Sequence, residues 1–88
     1  MVVIVSLLPQ AIVSLLKWNA VLRILDLFDN RSLGEAGAKA IAAALRENSS
    51  LTALVYSRTS AGMGGCSAIA RTLREANNTL IRLDLSEN

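Results

Sequence analysis

Leucines recur along this chain at one constant interval, and this spacing restricts the fold more than any other feature of the sequence. Leu25, Leu54 and Leu83 are equally spaced, and the leucines three positions before each of them repeat the spacing. A segment that recurs at such a length is one supersecondary unit, which cannot bury its apolar face without a neighbouring unit. The 29-residue interval therefore predicts that consecutive segments of the chain lie side by side.

Each recurring unit combines a strand pattern with a helix pattern. Leucine-framed strands occur in LRILDL (22–27) and LIRLDL (80–85), with LTALVY (51–56) between them. Downstream, GAKAIAAALRENSSL (37–51) aligns with GCSAIARTLREANNTL (65–80), and their apolar residues follow the spacing of one helical face. We predict helices at 9–17, 36–47 and 65–75 and strands at 24–28, 53–57 and 82–86.

The N-terminal residues repeat the helix pattern and form a third, partial copy. In LLPQAIVSLLKWNAVL (7–22), the apolar residues again follow one helical face. In this alignment Asn19 stands one interval before Asn48, and Ile4 stands one interval before Leu33. We therefore expect the chain to begin with a partial unit that contributes a helix.

Strands joined by helical crossovers lie parallel, with right-handed connections. We predict an α/β fold, a short solenoid of about two and a half units, with three parallel strands on its concave side and three helices on its convex side. The single segment 1–88 then divides into a partial N-terminal helical unit (1–21), two full units (22–50 and 51–79) and the strand of a truncated unit (80–88).

Polar residues follow each strand at the same interval, at Asn30, Thr59 and Asn88. Here the chain turns away from the sheet and leaves backbone N–H and C=O groups that need partners. An amide side chain offers a donor and an acceptor, so a buried asparagine can bridge consecutive turns. We expect the Asn30 side chain to be buried in this way, and Thr59, with one hydroxyl, to bridge less completely.

The stretch LRILDLFDN-RSLGEAGAKAIAAALRENSSL (22–51) resembles leucine-rich repeats of the ribonuclease-inhibitor type. That family also forms the sensor arm of NOD-like receptors and the GTPase-activating protein for Ran. The shared phrase is a leucine-framed strand ending in Asn, the loop I/L-G-x-x-G-A, and a helix ending L-x-x-N-x-x-L. The resemblance implies a non-catalytic module that binds another protein.

Three departures from the family phrase fall in the middle unit. Thr59 stands where the family pattern has the asparagine that bridges consecutive turns. SAGMGG (60–65) replaces the I/L-G-x-x-G-A loop, and Tyr56 stands at the position of an inward-pointing leucine. The Tyr56 ring can fill the space of a leucine, but its hydroxyl needs a partner or solvent. We therefore expect the middle unit to be altered relative to the other two.

No arrangement of residues suggests catalysis. The chain has no histidine, and no Ser or Cys has a general base at a recognisable spacing. Asp26 and Asp84 would lie two strands apart, but on an open surface that does not exclude water. The glycines of AGMGG (61–65) are typical of a strand-to-helix turn, and Cys66 of a packed residue. We predict no enzyme activity, no cofactor and no metal site.

The open side of the predicted sheet is the candidate partner-binding face. Alternate residues of each strand point away from the helices and form rows across the strands. Among them Phe28 is an aromatic that can anchor an interface, and Arg58 stands in an acid–base–acid row with Asp29 and Glu87. The predicted face consists of Ile24, Asp26, Phe28, Ala53, Val55, Ser57, Arg58, Arg82, Asp84 and Ser86.

Charge and composition limit the kind of partner. The net charge of +2 comes from nine basic and seven acidic residues mixed along the chain, which argues against nucleic acid. The apolar start MVVIVSLLPQAIVSLL (1–16) lacks a basic flank and is shorter than the roughly 20 residues of a spanning helix, which argues against a membrane. We expect a protein partner of unknown identity in the cytoplasm, where a lone cysteine stays reduced.

Further alternatives stay open at this point. The chain ends on a strand that would normally precede its helix, which suggests a fragment of a longer array or self-association through uncapped ends. The same residues could belong to a GTPase-activating regulatory protein, which stimulated nucleotide hydrolysis would reveal. Residues 1–16 could instead associate with a membrane, which partition into liposomes would reveal.

Overall fold

The computed structural model describes residues 2–4, 9–18, 21–77 and 79–88 of the chain, so that Asn19 lies outside the described residues. Within these ranges strands and helices alternate along the sequence, which gives a mixed α/β structure. The elements are β1 (Val2–Ile4), α1 (Pro9–Trp18), β2 (Ile24–Asp26), α2 (Gly34–Leu45), β3 (Ala53–Val55), α3 (Gly62–Glu75) and β4 (Arg82–Asp84).

The strands form one parallel sheet in the order β1-β2-β3-β4. Leu25 is paired with Leu54, and Leu54 with Leu83, so the leucines of the 29-residue interval share one row. Leu25 and Leu54 are fully buried, and Leu83 packs against the same core. The predicted register is therefore confirmed, although each of these strands is shorter than predicted, with three residues.

The three predicted strands are joined in the sheet by β1, which was not predicted. Ile4 pairs with Asp26 and is not the counterpart of Leu33. The β-branched sequence VVI suits an extended strand. Residues of β1 pair with residues of β2 that lie closer to them in the sequence than the 29-residue interval, and the interval therefore did not reveal β1.

The helices pack in chain order, α1 against α2 and α2 against α3. Helix α3 begins at Gly62 instead of residue 65, so most of AGMGG forms the first turn of a helix and not the turn before it. The backbone φ of Gly62 is +66°, and that of Gly34, the first residue of α2, is +61°. Glycine adopts this conformation readily because it has no Cβ, which explains the residue type at both helix starts.

One apolar core lies between the helices and the sheet. Ile12, Ile41 and Ile69, one from each helix, are fully buried in the same cluster as the strand leucines. Aliphatic side chains of this size contribute about 1.5–3 kcal/mol each when fully buried, so many contacts of moderate strength hold the helices on the sheet.

Tyr56 is the aromatic residue of this core, and it is fully buried directly after β3. Its hydroxyl donates a hydrogen bond to the backbone oxygen of Gly34 at 3.1 Å, so the expected partner is a buried carbonyl. A Cβ at Gly37 would lie 2.9 Å from the Tyr56 hydroxyl oxygen, closer than such atoms pack. Gly37 therefore leaves the space that the tyrosine needs.

Two buried asparagines bridge successive turns where helices lead back to strands. Asn48 donates to the backbone oxygen of Leu16 at 2.6 Å and accepts from the backbone N–H of Leu51 at 2.8 Å. Asn77, one interval later, donates to the backbone oxygens of Leu45 at 2.7 Å and of Asn48 at 3.0 Å. These bonds satisfy backbone groups that would otherwise be buried without partners.

A second ladder lies where the strands lead into the following loops. Asn88 donates to the backbone oxygen of Tyr56 at 2.7 Å and accepts from the backbone N–H of Thr59 at 3.1 Å. The single hydroxyl proton of Thr59 is shared between the Tyr56 carbonyl and the Asn88 side chain, both 3.0 Å away. Thr59 thus bridges less completely than Asn88, as predicted. Asn30 is half-buried, not buried as predicted, and donates to Leu27 within its own turn at 2.9 Å.

We expect Thr59→Asn to raise the free energy of unfolding by about 1 kcal/mol, because a second amide proton adds a hydrogen bond towards the preceding turn. Thr59→Val keeps the shape of the side chain but removes the hydroxyl, and we expect it to lower the free energy of unfolding by about 1 kcal/mol. Urea denaturation followed by circular dichroism measures both. Equal stability of the two variants would show that residue 59 does not act through hydrogen bonds.

The stability of the fold depends on the protonation of Tyr56 at alkaline pH. Burial raises the pKa of Tyr56 from 10.0 to about 12. Because the folded-state pKa is the higher one, the associated stability is complete below pH 10 and is lost as the pH rises through about 12. Since the chain has one tyrosine, phenolate absorbance reports this residue alone. We expect a midpoint of about 12 in the folded chain and about 10 in urea; a folded-state midpoint of about 10 would contradict burial of the hydroxyl.

Candidate functional site

We use the term open face for the side of the sheet that lies opposite the helices. It carries the outward residues of β2, β3 and β4, and strand pairing places these residues in rows, as the sequence analysis predicted. Exposure is greatest on β4, where Arg82 and Asp84 are exposed, whereas Ile24 and Asp26 on β2 are half-buried. The two rows are Ile24–Ala53–Arg82 and Asp26–Val55–Asp84.

Two members of the predicted face have little contact with solvent. Ala53 is 7% exposed and Ser57 is 3% exposed. Ala53 lies in β3, an interior strand of the sheet, and Ser57 follows that strand. Both side chains are short, so neighbouring side chains cover them. They shape the face, whereas Val55 on the same strand is half-exposed and available for contact.

The two aspartates of the open face also organise the turns that follow their strands. Asp26 Oδ1 accepts a hydrogen bond from the backbone N–H of Phe28 at 3.0 Å. Asp84 Oδ1 accepts from both the hydroxyl of Ser86 at 2.7 Å and its backbone N–H at 2.9 Å. These bonds from Ser86 lower the pKa of Asp84 below its ordinary value. The Asp84 carboxylate is therefore held in position as an anion.

A row of alternating charge borders the open face just beyond the strands. Arg58 Nε lies 3.7 Å from Asp29 Oδ1 and 3.9 Å from Glu87 Oε2. The ion pairs that the sequence suggested for this row are thus present, and Arg58 contacts both neighbours. All three residues have a positive φ, between 54° and 62°, which is uncommon for residues with a Cβ. The shared backbone conformation explains why the three side chains emerge side by side.

Phe28 stands at the junction of the open face and the charged row. Its side chain is 49% exposed, and the guanidinium carbon of Arg58 lies 5.7 Å from the centre of its ring. This is within the range of a cation–π contact. A shallow depression of about 200 Å³ lies beside it, lined by Arg31, Arg58, Ser60 and Glu87. The junction therefore combines an exposed aromatic with fixed charges of both signs.

Sequence reasoning missed Arg31 and Ser60 as parts of this border. Arg31 Nε lies 2.9 Å from Asp29 Oδ1, and this hydrogen bond, together with the charge of Arg58, lowers the pKa of Asp29. Ser60, the first residue of the SAGMGG segment (60–65), has a φ of +62°. Arg31 and Ser60 each directly follow a ladder position, so they occupy equivalent places in successive units. The recurrence was therefore a signal that could have placed them side by side.

The reactive groups considered from the sequence lie either at the surface of the open face or against the core. Asp26 and Asp84 lie on an accessible surface, where water screens their charges. Cys66, the other reactive group considered from the sequence, is half-buried and packs against the core. None of the helices in the described ranges combines the length and the apolar character that a bilayer span requires.

No protein-family model matches this chain, and a comparison with curated proteins also gives no match.

The two arginines beside Asp29 should affect its pKa to different extents. We expect Arg31→Gln to raise the pKa of Asp29 more than Arg58→Gln does, because the bond from Arg31 is the larger cause of its lowered value. A depressed carboxyl pKa gives stability that is lost as the pH falls through it, so each substitution makes this acid-sensitive contribution to stability smaller. Carboxyl resonances in an NMR titration measure the effect, with Arg71→Gln on α3 as the control. Equal shifts in all three variants would contradict the assigned ion pairs.

Proposed function

We propose that this chain is a leucine-rich repeat segment of the ribonuclease-inhibitor type that binds another protein through its open face. The parallel register at 29-residue intervals and the two side-chain ladders support the family assignment. In such an array the helices form the convex side of a solenoid, and the open face is the concave side. The same proposal makes the chain a non-catalytic module of the cytoplasm.

The observation that carries this proposal is the composition of the open face. Parallel sheets usually have both faces covered, whereas Val55 and Asp84 on this face reach solvent. Phe28 adds an exposed aromatic beside an exposed charged row. Partly apolar surfaces bordered by polar groups, on a rigid scaffold, are typical of protein-binding sites.

Phe28 and Met63 provide a matched test of which side binds. Both are large exposed apolar residues, at 49% and 87% exposure, but Met63 belongs to α3 and lies away from the open face. We expect Phe28→Ser to weaken binding of a partner by about tenfold or more, because aromatic side chains that become buried in an interface often act as hot spots. Met63→Ser should leave the affinity unchanged.

The partner is obtained by affinity capture with the wild-type chain and is then purified for calorimetry with each variant. Circular dichroism of the variants shows whether the fold is retained. Loss of affinity in Met63→Ser but not in Phe28→Ser would place the interface on the helical side and overturn the proposal.

A further inference from the structure

The carboxylates of the open face divide into two groups according to their ion pairs. Asp29 and Glu87, on the border, are paired with Arg58. Asp26 and Asp84 belong to the row that crosses the face at Val55, and they form no ion pair within the described residues. Arg82, in the neighbouring row, also forms no ion pair there, so direct contact with a basic side chain neutralises neither carboxylate, although the chain has a net charge of +2. Their charge favours a cationic partner.

The positions of these anions are fixed with respect to one another. Asp26 and Asp84 each pair with Val55, so they stand two strand spacings apart, about 10 Å. Each carboxylate is held by a hydrogen bond from the backbone of its own turn. The row thus presents an anion, an aliphatic group and a second anion at regular intervals.

We propose that the open face binds an α-helical protein segment laid across the strands, with Lys or Arg at positions i and i+7 and an aliphatic residue between them. The basic residues meet Asp26 and Asp84, and the aliphatic residue meets Val55. This inference rests on the proposed function of the open face and specifies the chemistry of the partner.

The spacing distinguishes a helix from an extended segment. Residues i and i+7 of a helix lie on one face about 10.5 Å apart, which matches two strand spacings, and residues i+3 and i+4 lie between them. Along an extended segment, residues on the same side are about 6.6 Å or 13 Å apart, and neither distance matches the row. A strand crossing the sheet would therefore place at most one basic residue opposite an aspartate.

The width of the open face also fits a helix. Ile24 and Asp26 stand about 6.6 Å apart along β2, and Phe28 lies beyond them in the following turn, whereas a helix with its side chains is about 10–12 Å wide. Ile24 and Phe28 would flank the helix on either side of the charged row. Both are at least partly exposed, so they can contact the helix without rearrangement of the core.

The probe is a designed helical peptide with Lys at i and i+7 and Leu at i+3 and i+4. Its binding is followed by NMR titration of the full chain. We expect shifts centred on Asp26, Val55 and Asp84, and a salt-dependent affinity that falls about tenfold in Asp26→Asn and in Asp84→Asn. Asparagine preserves the turn-forming oxygen, so these variants remove charge and keep shape. Glu47→Gln, at an exposed carboxylate after α2, is the matched control and should not change the affinity.

Two further peptides test whether binding depends on the spacing and on the sign of the peptide's charges. A peptide with Lys at i and i+4 places its charges about 6 Å apart and should bind about tenfold more weakly, and one with Glu in place of Lys should not bind. Equal binding of the three peptides, or no binding of the first, overturns the inference. The proposed function fails separately, if Phe28→Ser leaves the affinity for the captured partner unchanged.

Discussion

Hydrogen bonding of the backbone at the turns is the constraint on which the rest of this structure depends. Each unit changes direction twice, between strand and helix and between helix and strand, and each change leaves peptide groups inside the fold. Asn48 and Asn77 satisfy these groups on one side of the molecule, and Asn88 does so on the other. Because each side chain also reaches the preceding turn, the same bonds that satisfy the backbone set the spacing of neighbouring units.

The middle unit shows how the fold tolerates departures from its own pattern. Tyr56 replaces a leucine, and the fold accommodates it because Gly37 leaves space for the hydroxyl and Gly34 supplies its acceptor. Thr59 replaces an asparagine, and Asn88 compensates in part by contacting both the backbone and the hydroxyl of that residue. The substitutions are therefore coupled to residues in both neighbouring units.

The open face follows from the same geometry. Strands in register align their outward residues in rows, so side chains of neighbouring strands stand about 5 Å apart on this face. On the border, Arg31 and Arg58 together balance the charges of Asp29 and Glu87, and surface pairs of this kind add little stability. Asp26 and Asp84 form no ion pair within the described part of the chain. On this difference between the border and the row at Val55 we base the proposal of a basic partner.

The 29-residue interval alone was sufficient to predict the pairing of Leu25 with Leu54 and the charged row around Arg58, because a one-residue slip would reverse every inward side chain. It did not reveal β1, whose residues pair with residues of β2 at a shorter sequence interval. Exposure was decided by the tertiary structure, because it depends on the neighbours of a side chain: Ser57 is covered in the sheet while Phe28 is half in solvent. The sequence thus determined which residues stand side by side, and packing decided which of them a partner can touch.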